Sequence, residues 1–342
     1  MNGTTPPIRR DWNVGTCNYW ESTQLDHIVF TRHTNCCQGY LYPSISNIKP
    51  SQTLPSIYNY NLYYYYLFYN TMSTADAVCV SDLYTSIRVL GEGGYGSVML
   101  VQSKEDGSLH AAKVIPDSKC KRKTYCHLRQ VELPDEIILW EELKHPNILN
   151  LEEMYYDEPS DSWILIMEYV AGFEDLFSYI DRAGSLSPAE ARKILRGVLD
   201  TDYYMLTVGI DHRDIKDENI LYNPTTGQIK LIDFGSASLL AERYNRFQGT
   251  DVYLPPEFFA TGTHGSLPST TWAIGCLAYC LLNGDCPFNT VMDVKNYKTQ
   301  GLTFLNPSLD QPSRDFLSLL LTHDEKSRPG LPAVYWHPWM RA

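Results

Sequence analysis

Two short polar runs constrain this chain more than any other feature of its 342 residues. The first is His212-Arg213-Asp214-Ile215-Lys216-Asp217-Glu218-Asn219, and the second, Asp233-Phe234-Gly235, begins fourteen residues after Asn219. Asn219 and Asp233 offer one amide and one carboxylate oxygen. That pair is too small for an all-protein cage and suits a hard cation such as Mg²⁺, with Mn²⁺ as the alternative. Upstream, Gly91-Glu92-Gly93-Gly94-Tyr95-Gly96-Ser97-Val98 fits G-x-G-x-x-G-x-V. Glycines at this spacing let the backbone pass close to phosphates and present N–H donors without side-chain obstruction. The same spacing occurs in dinucleotide-binding turns and in plain hairpins. A dinucleotide turn needs a helix directly after it, whereas here the strand-like Ser97–Gln102 follows; the hairpin reading stays open on this motif alone. Lys113 closes a third strand-like segment, Leu109–Ile115, and Glu136 lies on the next helical stretch as its candidate partner.

The pattern around these runs predicts an α+β chain with two lobes. Ser86–Leu90, Ser97–Gln102, Leu109–Ile115, Ile148–Tyr155 and Trp163–Glu168 read as an antiparallel sheet. A helix is predicted from Pro134, a good first-turn residue, with Ile137, Ile138 and Trp140 facing inward. Beyond Gly172 the chain turns mainly helical, and Ser187-Pro188-Ala189-Glu190 reads as a capping-box start. The expected boundaries are an N-terminal extension at 1–83, an N-lobe at 84–167, a hinge at 168–175 and a C-lobe at 176–342, with a ligand cleft between the lobes. Residues 1–71 read as a disordered tail. Between Gln38 and Asn70 the only formal charge is Lys49, and five of the eight residues Leu62–Tyr69 are tyrosine. Met72 is an alternative translation start. The net charge of −12 argues against a nucleic-acid partner and suits a basic one. Nine cysteines without paired CxxC spacing, and no secretory signal, lead us to expect reduced thiols in a cytoplasmic protein, with the nucleus as the alternative compartment. No apolar run is long enough for a membrane span, and a monomer is expected.

The ordered set of glycine turn, strand lysine, H-R-D-x-x-x-x-N loop and Asp-Phe-Gly resembles the protein kinase superfamily over residues 84–342. Several details resemble the Pim family of serine/threonine kinases in particular. These are the loop His-Arg-Asp-Ile-Lys-Asp-Glu-Asn, the long hinge Glu168-Tyr169-Val170-Ala171-Gly172-Phe173-Glu174-Asp175, and the segments Gly249–Glu257, Gly284–Phe288 and His337–Met340. PAS-domain kinases share the loop and are the competing assignment. The resemblance implies ATP as donor, held by Gly91, Glu92, Gly93, Gly94, Tyr95, Gly96, Val98, Ala111, Lys113, Met167, Glu168, Val170, Leu221 and Ile232. It implies Asp214 as the group that accepts or orients the substrate hydroxyl, and Lys216 at the γ-phosphate. Lys113 would be braced by Glu136, and Asn219 and Asp233 would hold the metal. Substrates with basic motifs would be read by Asp175, Asp217, Glu218 and Asp285, with Thr250 in the substrate-contacting segment. Glu257 and Arg328 are expected to form a buried structural pair.

Among the hydroxyl residues between Gly235 and Glu257 (Ser236, Ser238, Tyr244, Thr250 and Tyr253) none stands where a phosphate would meet Arg213, so activity without loop phosphorylation is expected. Two departures from the family pattern stand out. Thr270 replaces an aspartate that Pim kinases also lack. Asp211 precedes His212 where an apolar core residue is usual, and burying a lone carboxylate is costly. Asp211 is the one feature that invites an alternative reading, an ATP-binding scaffold without catalysis. The Thr250–Glu257 segment disfavours a small-molecule kinase. The basic run Lys119–Lys123 reads as a solvated loop, with a nuclear-localisation patch as the weaker alternative.

Overall fold

A computed structural model of the chain describes residues 80–93, 96–120, 122–126 and 131–342. The expected tail, its tyrosine-rich stretch and Met72 lie outside the described residues, as do Gly94 and Tyr95 of the glycine turn.

After a short helix α1 (Val80–Leu83) the chain builds β1 (Tyr84–Gly93), β2 (Gly96–Ser103) and β3 (Leu109–Pro116). A small ribbon of β4 (Lys123–Cys126) and β5 (Val131–Pro134) leads into helix α2 (Asp135–Glu141), and β6 (Leu151–Asp157) and β7 (Ser162–Glu168) complete the lobe. The five-stranded sheet runs β1-β2-β3-β7-β6 with every neighbour antiparallel. Alternation along β3 sends Ala111, Lys113 and Ile115 to the face shared with α2, and Ala112 to the other face, where it meets Val101 and Ile166. Ile137, Ile138 and Trp140 of α2 are buried as the helical period predicts. The basic run departs from a solvated loop. Lys123 enters β4, and Arg122 donates to the Ala237 carbonyl at 2.5 Å.

The second lobe is mainly helical. It begins with a two-residue strand β8 (Glu174–Asp175), α3 (Leu176–Ala183) and α4 (Pro188–Thr207). Short strands follow: β9 (Ile210–Asp211), β10 (Ile220–Asn223), β11 (Gln228–Leu231), β12 (Ser238–Leu239) and β13 (Arg243–Tyr244). Then come α5 (Pro256–Thr261), β14 (His264–Gly265), α6 (Ser266–Asn283), α7 (Val291–Gln300), α8 (Gln311–Leu320), α9 (Leu331–Tyr335) and α10 (Pro338–Arg341). Ser187 caps α4 by accepting the Glu190 N–H, but the Glu190 carboxylate turns away from a capping box and accepts the hydroxyls of Tyr179 and Tyr222. Helix α6 is buried along almost its whole length and forms the centre of the lobe. Ile148, Leu149 and Leu231 join the two lobes in one continuous core. The cysteines among the described residues are free thiols, and no described helix is long and apolar enough to cross a membrane.

One buried group works against this core. Asp202 of α4 is 1% exposed, and neither of its carboxylate oxygens has a hydrogen-bond partner among the described residues. Burial, and then the nearby charge of Asp211, push its pKa well above the ordinary carboxylate value. A raised folded-state pKa leaves stability greatest below the unfolded pKa and lost as pH rises toward the folded value. Asp202→Val should therefore stabilise the fold by about 1–3 kcal/mol, or roughly 2–4 °C in Tm per kcal/mol. The gain should be larger at pH 7 than at pH 4. Thermal melts at both pH values check this, and a variant less stable at pH 7 would contradict it.

Candidate active site

The cleft between the lobes is built from β3 above, α2 behind and two loops of the second lobe below. Lys113 reaches it because its strand position faces α2, and Val98 lies directly across in the β2–β3 register. Its Nζ donates to Glu136 Oε1 at 2.8 Å and to Asp233 Oδ1 at 3.2 Å. Glu136 sits in the first turn of α2, and Asp233 takes a left-handed backbone with φ 62°. A non-glycine residue there is strained and is held by its surroundings. Burial pulls the Lys113 ammonium pKa down, but the charges of Glu136 and Asp233 outweigh it and leave the pKa raised. The same balance runs in reverse for Asp233, where burial is overcome by Lys113 and the pKa falls below the usual carboxylate value. Phe234 is fully buried between Trp140 of α2 and His212, with ring centroids 5.2 and 5.1 Å away.

The catalytic-loop residues converge below. Asp214 Oδ1 accepts both the backbone N–H and the hydroxyl of Thr250, each at 3.1 Å. Its Oδ2 accepts from Asn219 Nδ2 at 2.9 Å, and the same amide nitrogen donates to the Asp214 carbonyl at 2.8 Å. The amide oxygen of Asn219 is thereby left as its free acceptor. Lys216 Nζ donates to Thr250 Oγ1 at 2.8 Å and lies 2.5 Å from Glu218 Oε2 and 3.6 Å from Asp214 Oδ2. Burial lowers the Lys216 pKa, but the Glu218 bond and the Asp214 charge outweigh it and raise it. His212 is buried. Its Nδ1 accepts the Asp214 N–H at 3.3 Å while Nε2 faces the Ile232 carbonyl at 3.2 Å, and burial depresses its pKa, which favours neutral imidazole.

Gly249 makes this convergence possible. Its φ is 118°, and a Cβ there would stand 2.7 Å from the Arg213 carbonyl and 3.0 Å from Asp214 Oδ1. Gly96 is similarly tight, since a Cβ would lie 1.9 Å from the Val114 carbonyl. Toward the hinge, Ala111 and Met167 are buried opposite one another across β3 and β7, and Val98, Val170, Leu221 and Ile232 are partly buried around them. The Glu168 carboxylate accepts from Lys230 at 2.6 Å and from the Asn150 N–H at 2.8 Å.

The acids expected to read basic substrates separate into two kinds. Asp285 and Glu218 are exposed. Asp175 is half-buried and caps α3 by accepting the Ser178 N–H. Asp217 is buried, with its Oδ1 accepting from the Tyr253 hydroxyl at 3.3 Å and the Glu218 N–H at 3.1 Å, so it braces the segment after Thr250. Glu257 and Arg328 form the expected buried pair. The Tyr244 ring lies on Arg213, with the guanidinium carbon 4.0 Å from the ring centroid, while its hydroxyl, the atom that would carry a phosphate, turns to Asp211.

The comparison that decides the family is the match of residues 84–340 to the protein kinase domain. The chain belongs to the protein kinase family. Serine/threonine-protein kinase pim-2 of Danio rerio is 33% identical over 266 residues, covering 75% of this chain and 84% of that protein. Serine/threonine-protein kinase prk-2 of Caenorhabditis elegans is 33% identical over 255 residues, which is 74% of this chain and 57% of the nematode protein. Death-associated protein kinase 2 of Mus musculus is 31% identical over 284 residues, 79% and 74% of the two chains. These relatives bear out the Pim-type resemblance. A protein kinase uses ATP and a divalent cation, and the residues present fit both. A buried ammonium braced by two carboxylates suits phosphate charge. Among the described residues no three His, Cys, Asp or Glu side chains form a metal cluster. Asn219 and Asp233 would hold a divalent cation whose remaining shell nucleotide oxygens and water could complete.

Proposed function

We propose that this kinase transfers the γ-phosphoryl group of ATP to serine or threonine hydroxyls of proteins carrying arginine upstream of the acceptor. We also propose that it does so without prior phosphorylation of its activation segment, residues 235–257. The observation that carries the reading is the simultaneous assembly of the Lys113–Glu136–Asp233 cluster and the Asp214–Thr250 contact. The names of the relatives as serine/threonine-protein kinases support the acceptor class. Asp214 accepts or orients the proton of the substrate hydroxyl as its oxygen bonds to the γ-phosphorus and the bond to the β-phosphate oxygen breaks. Lys113 neutralises the α- and β-phosphates, and Lys216 the γ-phosphate. Mg²⁺ held by Asn219 and Asp233 would supply further charge neutralisation.

Support for basic substrates comes from the exposed carboxylates of Glu218 and Asp285, which a guanidinium could pair with from solvent. The net charge of −12 favours encounter with a basic peptide. The test is phosphorylation of a serine peptide with upstream arginines by phosphatase-treated protein. Replacing those arginines with alanine is expected to lower kcat/KM at least tenfold, the effect of about 1.4 kcal/mol in binding. Equal rates on both peptides would reject the basic preference. Activity abolished by the phosphatase would reject the phosphate-independent reading.

A further inference from the structure

Asp211 is an acid in a place suited to an apolar side chain, and the structure supplies its use. It is 2% exposed and lies on β9, paired with Ser238 of β12 at the start of the activation segment. Its Oδ2 accepts two hydroxyl donors, Tyr244 at 3.0 Å and Ser266 at 2.5 Å. Tyr244 lies on β13, which pairs with β14 beside the first residue of α6. The Tyr244 oxygen also accepts the Ala241 N–H at 3.2 Å, while its ring stacks on Arg213. Arg213 in turn donates to Gln248 Oε1 at 2.9 Å and to the Arg246 carbonyl at 2.7 Å. Two residues beyond Arg246, Gln248 leads through Gly249 to Thr250, whose N–H and hydroxyl hold Asp214. These contacts, with the backbone from Gln248 to Thr250, link Ser266 of the buried α6 helix to the Asp214 carboxylate.

We infer that Asp211, Tyr244 and Arg213 form a phosphate-free clamp that positions the activation segment for catalysis, with Asp211 as a positioning residue. The inference rests on the proposed kinase activity and gives the physical means for its independence from phosphorylation. An arginine that has no phosphate to bind still needs a partner. Here the face of an aromatic ring takes that place, and the ring is fixed by its hydroxyl against a buried carboxylate. Burial and the Asp211 charge push the Tyr244 hydroxyl up to about 12, so it remains a donor across the physiological range.

The clamp makes a pattern of results that plain structural packing does not. Asp211→Asn keeps an oxygen that accepts both hydroxyls, and it should retain near wild-type kinetics. Asp211→Leu and Tyr244→Phe each remove the hydroxyl–acid contact. Each should raise amide hydrogen exchange in residues 240–249 about tenfold and lower kcat/KM for the peptide about tenfold, with KM for ATP unchanged. The double variant Asp211→Leu/Tyr244→Phe should cost less than the sum of the two single variants, because both lose the shared Asp211–Tyr244 contact while only Asp211→Leu also releases Ser266 and only Tyr244→Phe also releases the Ala241 N–H. Exchange in residues 240–249 that stays at the wild-type rate in both single variants would overturn the clamp, as would additive effects in the double variant. Loss of activity in Asp211→Asn equal to that of Asp211→Leu would also overturn it. Hydrogen exchange needs no turnover. Phosphatase-treated wild type with a protected segment but no activity would leave the clamp standing and defeat the proposed function.

Discussion

Asp214→Asn is expected to lower kcat by about 10²–10⁴, or roughly 3–5.5 kcal/mol in the barrier, while nucleotide affinity stays within about threefold of wild type. The substitution is nearly isosteric, so its effect is chemical. Asp214 accepts on both oxygens, from Thr250 on one side and from Asn219 on the other. An asparagine amide has one acceptor and one donor end, so in either orientation an N–H faces a donor. The site then loses the proton acceptor and one of the contacts that aim it. The Lys113–Glu136–Asp233 cluster touches none of these atoms in the catalytic exchange, which is why nucleotide binding should survive. Single-turnover phosphorylation and ADP titration of the same preparation check both halves. A loss of less than tenfold would remove Asp214 from the mechanism. A folded wild type that binds ADP but shows no turnover would favour the scaffold reading instead.

The residues proposed to do the chemistry were legible because they come as local runs. Asp214, Lys216 and Asn219 lie within six residues, and Asp233 follows at a spacing that β10 and β11 account for: the two strands pair back on one another and return the chain to the cleft. The Lys113–Glu136 pair was also readable, since a strand period and a helix start leave few ways for the two to face each other. What stayed hidden depends on contacts between distant segments. Asp211 read as an anomaly because its donors are 33 and 55 residues away, on β13 and α6. Asp217 read as an exposed acid for a substrate, but Tyr253, 36 residues on, folds over it. No pattern of types or spacing identifies a side chain whose burial is decided by a loop closing above it. Asp202 is the same case without the compensating donors.

Arg328→Met is expected to destabilise the second lobe by about 3–5 kcal/mol, the usual cost of leaving one partner of a buried ion pair alone. Every N–H of this guanidinium is used. Nη1 donates to Glu257 Oε1 at 2.8 Å and to the Pro268 carbonyl at 3.0 Å, and Nε to the Thr322 carbonyl at 2.8 Å. Nη2 serves Glu257 Oε2 and the His323 carbonyl. The side chain is fully buried, with its guanidinium carbon 5.0 Å from the Trp272 ring centroid. Methionine fills part of the volume but leaves the Glu257 carboxylate and three carbonyls without their donors. A drop in Tm of roughly 6–20 °C should follow. Arg328→Lys should recover only part of it, because an ammonium has three donors and no fork to match a carboxylate. Adding Glu257→Gln to Arg328→Met should restore some stability by removing the lone charge, a sign that a simple loss of packing would not give. The effect should also reach catalysis before unfolding does. Glu257 lies on α5, directly after the segment that carries Thr250, so a loosened pair should raise the peptide KM and leave the KM for ATP alone. An Arg328→Met melting point within 2 °C of wild type, against that expected range, would show that the pair carries little of the stability assigned to it.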